Sequence, residues 1–306
     1  MKVFITGGSG FVGKNLTRTL SEEGHKITIL TRSERGTGGL PPGASTVEGD
    51  PTKKGDWQSA VKEHDIVINL AGASIFTRWT EDAKKSIWES RIFTTRNLVE
   101  AVEGGRVKTF FSTSAVGYYG FHEDEMLTEE SPPGNDFLAR LAQDWENEAS
   151  KAREKGCRVA LTRFGIVLGE KGGALSQMIP LFKKYLGGPM GNGRQWFSWI
   201  HVEDLVRAFA FLVEHPETSG PVNFTSPNPV RNKEMARSLG KAMRRPSFLT
   251  APGFLLRLYL GEFGSVLLRG QRVMPKKLLN RGFQFRYPDI DRALEQVVHS
   301  MRMGSQ

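Results

Sequence analysis

Three glycines near the start of the chain are spaced to hold a phosphate group. Gly7, Gly10 and Gly13 follow the short apolar run Lys2–Thr6 and open an amphipathic helix pattern. In such a strand–turn–helix unit the glycines permit a sharp turn, close approach of the backbone to a phosphate, and tight packing of the helix on the strand. An ordinary tight turn is the alternative, but the complete context favours a dinucleotide pyrophosphate at the helix N-terminus.

The end of the second predicted strand, at 25–31, bears on the choice of dinucleotide. Folds that prefer NAD usually place an acidic residue here, which accepts a hydrogen bond from the ribose 2′-hydroxyl. This chain has Arg32, whose guanidinium suits a 2′-phosphate, so NADP(H) is favoured, although Glu34 leaves NAD open. Asp50, after the third strand, is either an adenine contact or an Asx turn before Pro51.

The predicted cofactor contacts lie at or near the carboxyl ends of successive strands, because ligands bind at that edge of a parallel sheet. They are Thr6, Gly7, Gly10, Phe11, Val12, Gly13, Arg32, Asp50, Leu70, Ala71, Gly72, Ser112 and Phe164.

Strand and helix patterns alternate through residue 162, which predicts an α/β fold with a doubly wound parallel sheet and right-handed crossovers. Beyond that point the rhythm changes, and prolines interrupt short helical patterns. We therefore expect a dinucleotide-binding domain at 1–162 and a smaller mixed α/β lobe at 163–306 for substrate or partner. The sheet domain could also recruit segments around 195–225.

Composition narrows the classes of function. The 306 residues carry a net charge of +9, which suits anionic ligands. Nucleic acid is not favoured, because the late basic residues are not interleaved with aromatic ones. The single cysteine, Cys157, excludes an intrachain disulfide, and the six histidines lack metal-ligand spacing.

No signal-peptide pattern and no membrane-spanning apolar run is evident, so a soluble, cytoplasmic protein without a membrane partner is expected. The stretch 254–268 is apolar with flanking arginines, and a membrane-surface helix is conceivable there. Packing within the small lobe is favoured instead, because Gly261 and Gly264 interrupt the helix pattern.

Several motifs together resemble the extended short-chain dehydrogenase/reductases, and more closely their atypical "epimerase family protein" branch. The likeness covers essentially the whole chain. The motifs are TGGSGFVG (6–13), NLAG (69–72), RW (78–79), SR (90–91), SAVGYYG (114–120), DWE (144–146), RFGIVLG (163–169), GGPMGNG (187–193), WIHVEDL (199–205) and the C-terminal pattern at 275–285. The resemblance implies a Rossmann-type fold with an NADP(H)-type dinucleotide across the carboxyl edge of the sheet.

The resemblance also shows where this chain departs from its relatives. Extended reductases use a Ser together with a Tyr-x-x-x-Lys pair, in which the tyrosine donates a proton and the lysine lowers its pKa. Ser114 matches the serine, but counting from Glu146 places Leu138 and Ala142 at the Tyr and Lys positions. Neither side chain moves a proton. Arg91 stands where such families often have asparagine.

Other side chains must then supply any chemistry. The catalytic candidates are Ser114, Tyr118 and His201, and the substrate-binding candidates are Arg78, Trp79, Tyr119 and Trp199. Burial in the core is the alternative for Tyr119 and Trp199, and a structural role for His201.

Two hypotheses follow: an NADP-dependent oxidoreductase or epimerase acting on an unknown small substrate, or a catalytically silent NADP(H)-binding protein that docks a protein partner. A homodimer is possible in either case.

Overall fold

The computed structural model describes residues 1–33, 40–41 and 43–303. Its strands are β1 (Lys2–Thr6), β2 (Lys26–Thr31), β3 (Ser45–Glu48), β4 (Ile66–Asn69), β5 (Thr109–Ala115), β6 (Met126–Leu127), β7 (Arg158–Phe164), β8 (Ile166–Leu168), β9 (Trp196–Phe197), β10 (Trp199–His201), β11 (Gly220–Phe224), β12 (Val230–Arg231) and β13 (Arg272–Val273). Its helices are α1 (Phe11–Glu22), α2 (Trp57–Val61), α3 (Glu81–Ala101), α4 (Phe137–Ser150), α5 (Leu175–Lys183), α6 (Val202–Glu214), α7 (Asn232–Met243), α8 (Gly253–Leu260), α9 (Glu262–Val266), α10 (Lys276–Asn280) and α11 (Ile290–Met303).

Seven parallel strands form the main sheet of the described chain, in the order β11-β7-β5-β4-β1-β2-β3. Helices cover both faces, so the central strands are apolar on each side, as the run IVIN of β4 illustrates. α1 and α6 pack on one face, and α3 and α4 pack together on the other. The predicted doubly wound α/β fold is confirmed.

Residues beyond 162 contribute to the sheet. β11 pairs with β7 in parallel, with Phe224 opposite Phe164, and thereby supplies one edge strand. Residues 196–201 do not join this sheet: they form β9 and β10, which pair with β12 and β8 in small two-stranded sheets. The division at residue 162 stays a prediction.

A buried carboxylate fastens the late part of the chain to the sheet domain. Asp204 of α6 is fully buried, and its oxygens accept backbone N–H groups from Arg286 at 2.7 Å and Tyr287 at 2.8 Å. Arg207 donates to it as well, at 3.2 Å. Because buried polar groups must be paired, these bonds fix the approach of the C-terminal segment that leads into α11. No described helix is both long enough and apolar enough to cross a bilayer.

Candidate functional site

The glycine turn at the end of β1 has two tightly packed positions and one that is less confined. Gly7 has φ +71°, and a Cβ there would lie 2.8 Å from the Leu70 carbonyl carbon. A Cβ on Gly13 would lie 2.2 Å from the Gly7 carbonyl oxygen, so only glycine fits at either position. A Cβ on Gly10 would meet the same oxygen at 3.2 Å and nothing closer. Gly10 therefore leaves room that a ligand can use.

The N-terminus of α1 is free to bind an anion. Its N-cap residue is Gly10, which has no side chain to accept from the first N–H groups of the helix. Those donors and the helix dipole converge beside the glycine turn, which is the arrangement that binds a pyrophosphate. Val12 in the first turn packs against the core.

The side chain of Phe11 packs against the segment that follows β8. Its ring lies against three glycines of the segment after β8, where an added Cβ would approach it to 2.8 Å at Gly169, 2.4 Å at Gly172 and 3.0 Å at Gly173. The ring therefore docks this segment onto the start of α1. The predicted cofactor contact through Phe11 stays a prediction and concerns its backbone, because its ring is engaged here.

Arg32 and Asp50 lie close together where β2 and β3 end. Arg32 is exposed, while Asp50 accepts hydrogen bonds from the N–H of Thr52 at 3.0 Å and its hydroxyl at 2.7 Å. Burial opposes ionisation of Asp50, but the Thr52 hydrogen bonds, with Lys53 and Arg32 nearby, leave its pKa lowered. These hydrogen bonds match the Asx turn that was the alternative for Asp50. The second carboxylate oxygen of Asp50 makes no hydrogen bond within the described chain. Glu34 lies outside the described residues.

The loop after β4 meets a cation that the sequence did not single out as a contact. The Arg91 guanidinium donates to the carbonyl oxygens of Ala73 at 3.1 Å and Ile87 at 3.0 Å, and a Cβ on Gly72 would lie 3.1 Å from its Cζ. Burial lowers its pKa to about 10, so it is positive at neutral pH. It pairs with no carboxylate in the described residues. The one available signal was an arginine where relatives often have asparagine.

The remaining predicted cofactor contacts differ in their surroundings. Thr6 donates to Asn69 at 2.7 Å, which ties β1 to β4 just below the loop formed by Leu70 and Ala71. Ser112 of β5 is buried, and its hydroxyl has no hydrogen-bond partner among the described residues. The predicted cofactor contact of Ser112 stays a prediction. Phe164 packs its ring on Phe224, so its side chain belongs to the core.

A buried ion pair anchors the candidate catalytic serine. Arg163 of β7 holds Glu146 of α4 through two hydrogen bonds, Nε to Oε1 at 2.7 Å and Nη2 to Oε2 at 2.8 Å. The Ser114 hydroxyl donates to Oε1 at 2.7 Å. All three side chains are at least nine-tenths buried. The Ser114 hydroxyl thus donates its hydrogen to Glu146, and the lone pairs of its oxygen can accept a hydrogen bond from another donor.

The network continues to the edge of the sheet. Arg163 donates to the Tyr119 hydroxyl at 2.9 Å, which donates in turn to Asn223 of β11 at 2.7 Å. The N–H of Asn223 donates to Glu129 at 3.0 Å. Tyr119 is fully buried, and burial raises its pKa to about 12. The substrate contact predicted for Tyr119 stays a prediction, and in this structure the side chain has no surface open to a ligand.

Tyr118 differs from its neighbour in exposure and in the state of its hydroxyl. The Arg163 guanidinium lies 3.4 Å from the centre of its ring, and the ring of Tyr119 packs edge-on against it. The side chain is only half-buried, and its hydroxyl makes no hydrogen bond within the described part of the chain. Tyr118 is therefore held by its ring with its hydroxyl left free.

One of the two positions where relatives carry the Tyr-Lys pair, Leu138, borders a cavity of about 260 Å³. On α4, Ala142 is buried and Leu138 lines the cavity. The other lining residues are Trp79, Phe121, Asp136, Phe137, Glu262, Ser265, Val266 and Arg269. Trp79 packs between Phe137 and Phe263 and donates to the Ile75 carbonyl at 3.0 Å, while Arg78 beside it is exposed. A larger recess near Lys2 and His64 lies at the opposite edge of the sheet.

Two other predicted site residues belong to the core. Trp199 is fully buried and donates to the Asn228 carbonyl at 3.1 Å. His201 is buried too: one ring nitrogen bonds Gln296 at 2.9 Å, and the other accepts from the N–H of Glu203 at 3.2 Å. Burial lowers the pKa of His201 to about 4. These contacts match the structural alternative for both residues, and the substrate role of Trp199 and the catalytic role of His201 stay predictions.

Comparison with known families accounts for almost the whole chain. The model of the NAD dependent epimerase/dehydratase family matches residues 3–224, and that of a domain of unknown function, DUF1731, matches residues 251–297.

Among the relatives is the "Epimerase family protein SDR39U1 homolog, chloroplastic" of Arabidopsis thaliana, 41% identical over 97% of this chain and 87% of its own length. The "Epimerase family protein YfhF" of Bacillus subtilis is 40% identical, over 97% of this chain and 98% of its own. Among solved structures, the human epimerase family protein SDR39U1 (isoform 2) with NADPH superposes with a TM-score of 0.87. It is 30% identical and aligns over 98% of this chain and 99% of its own.

Two glycine substitutions should separate binding from folding. Gly10→Val should leave the chain folded, since an added Cβ meets only the Gly7 carbonyl oxygen, at 3.2 Å, yet weaken NADPH binding at least about hundredfold by filling the space for phosphate. Gly13→Ala should instead lower the free energy of unfolding by about 1–3 kcal/mol through overpacking. Calorimetric titration and urea unfolding give the two quantities. A folded Gly10→Val protein with normal NADPH affinity would place the cofactor elsewhere.

The buried state of His201 predicts a pH effect on stability. The pKa of His201 is lower in the folded protein than in the unfolded chain. As the pH falls from about 6.5 towards 4, the imidazole is therefore protonated in the unfolded state only, which lowers the free energy of unfolding. In urea unfolding, the free energy of unfolding of the unmodified protein should therefore exceed that of His201→Asn most at pH 7, and this difference should be smaller at pH 4.5. The exposed His299→Asn is the control. Equal differences at both pH values would contradict the structural assignment.

Proposed function

Because this chain belongs to the NAD-dependent epimerase/dehydratase family, we propose that it binds NADP(H) and acts as an oxidoreductase or isomerase on a small substrate without the usual Tyr-Lys pair. The observation that carries the proposal is the combination of an anion-binding glycine turn with apolar side chains at both dyad positions. The cofactor, when bound, supplies or accepts a hydride.

Positive charge at two places supports the phosphorylated cofactor. Arg32 is exposed where an adenosine ribose lies in this fold, and no acidic side chain takes its position. Arg91 adds a cation beside the loop after β4. The human relative that superposes on the chain was solved with NADPH. A guanidinium recognises a phosphate through charge-assisted, paired hydrogen bonds, which a 2′-hydroxyl does not provide.

Ser114 and Tyr118 are the groups proposed to handle the proton. The Tyr118 hydroxyl is free to donate or accept, and the stacked Arg163 guanidinium restrains its ring. Ser114 is oriented by Glu146 and can accept a hydrogen bond from a substrate hydroxyl. Trp79 and Leu138 form an apolar wall of the cavity, with Arg269 as a charged group. We propose that the substrate lies there and extends past Leu138 towards Tyr118, since a Cβ on Gly117 would lie 3.2 Å from that of Leu138. Arg78, exposed beside Trp79, is proposed as a further contact.

The silent regulatory protein remains the second candidate, since a preserved cofactor site beside a vacated dyad supports it as well. Turnover of NADPH with a panel of carbonyl compounds favours the enzyme. Capture of a protein that depends on NADPH, with no turnover, favours the regulator. A cytoplasmic location and a homodimer stay predictions in either case.

Replacing Arg32 with Asp should reverse the preference for phosphate. Loss of a charge-assisted contact of about 1.5–3 kcal/mol corresponds to about tenfold to hundredfold weaker NADPH binding, and repulsion adds to the loss. NADH affinity should change little in isothermal titration. Arg18→Asp, at an exposed arginine of α1, controls for the change in net charge. Equal affinities of the unmodified protein for NADH and NADPH would refute the preference.

If turnover is found, Ser114→Ala and Tyr118→Phe should each lower kcat/KM by about tenfold to a thousandfold, because each removes a group that exchanges protons. Leu138→Ala should leave kcat unchanged, as no chemical group is lost. Tyr259→Phe, at an exposed tyrosine, is the matched control. Unchanged kcat/KM in both Ser114→Ala and Tyr118→Phe would end this assignment of roles.

A further inference from the structure

Helix α8 turns its larger apolar side chains towards solvent. None of its eight residues is buried. The exposed fractions are 69% for Phe254, 66% for Leu258 and 81% for Tyr259, and Leu255 between them is 43% exposed. With 3.6 residues per turn, these four side chains share one face of the helix. The expectation that 254–268 packs within the small lobe is wrong for this face, and Gly261 begins only where α8 has ended.

The segment that precedes α8 also exposes apolar side chains. Phe248 is 78% exposed, and Leu249 beside it is also exposed. The chain around 188–191 runs next to them, because the backbone N–H of Ala251 donates to the Pro189 carbonyl at 2.9 Å. Tyr185 and Leu186, just before that segment, are more than half exposed. We call these side chains together with the exposed face of α8 the apolar patch.

The two stretches of chain that carry the apolar patch have positive charge and no negative charge within them. Neither 171–202 nor 235–261 contains an aspartate or glutamate. The basic residues close to the patch in sequence are Lys183, Lys184, Arg244, Arg245 and Arg257. None of these five forms an ion pair within the described residues. One of them, Arg245, lies over the ring of Tyr185, with its Cζ 4.6 Å from the ring centre.

We propose that the apolar patch docks the protein on an anionic phospholipid surface. Large apolar side chains flanked by unpaired cations match the acyl boundary and the negative headgroups of such a bilayer. A tyrosine such as Tyr259 is suited to the interface itself. A second copy of the chain fits less well, because two such faces would bring unpaired positive charges together.

Vesicle flotation of the whole protein tests the proposal. The protein should rise with vesicles of phosphatidylglycerol and not with phosphatidylcholine, and about 0.5 M NaCl should reduce the bound fraction. Phe254→Ser combined with Leu258→Ser should weaken binding at least tenfold, as should Arg244→Glu combined with Arg245→Glu. Circular-dichroism melting confirms that each variant is folded.

Matched controls lie elsewhere on the surface. Leu279→Ser on α10 and Arg18→Glu on α1 alter an exposed apolar side chain and an exposed cation outside the patch, and should bind as the unmodified protein does. Equal binding to both vesicle types would overturn the proposal, as would full binding by the Phe254→Ser, Leu258→Ser variant. A third outcome would also overturn it: the unmodified protein sediments as a dimer without lipid and the Phe254→Ser, Leu258→Ser variant as a monomer. The patch would then be a protein interface.

Discussion

The ion pair between Glu146 and Arg163 is the constraint on which the interior of this site depends. It joins α4 to β7 through two hydrogen bonds, and it lies away from water. An unpaired charge at such a depth would be strongly destabilising, so each partner requires the other. The pair also fixes the hydroxyls of Ser114 and Tyr119. One guanidinium thus holds in place both a buried tyrosine and, through its flat face, the half-exposed Tyr118.

The fold follows from local signals because they repeat consistently along the chain. The apolar run of β1 and the glycine turn identify the first strand and helix, and the later apolar strands repeat that rhythm with no conflict. The spacing along one helix also predicts that Leu138 and Ala142 stand at the Tyr and Lys positions. In the structure Leu138 lines the cavity next to that helix. These features depend on neighbours close in sequence.

The site was less predictable, since burial depends on distant residues. His201 has the residue type of an acid or base, but Gln296 on α11 occupies one of its nitrogens. Tyr118 and Tyr119 are adjacent in sequence, yet the buried hydroxyl of Tyr119 has partners far along the chain, Arg163 and Asn223. Arg91 was missed for the same reason. Its neighbours in sequence do not indicate that the guanidinium is buried without a carboxylate partner among the described residues.

The packing of Phe11 against glycines carries an evolutionary consequence. Gly172 is confined by that ring, and Gly169 by the ring together with Val202, rather than by a left-handed backbone. Gly173 has φ +62° and is confined by its own conformation as well. A smaller residue at position 11 would relieve the pressure of the ring on Gly169 and Gly172, and would leave Gly173 restricted. Across diverging descendants, positions 11 and 172 should therefore covary, while 173 should stay glycine whichever residue stands at 11.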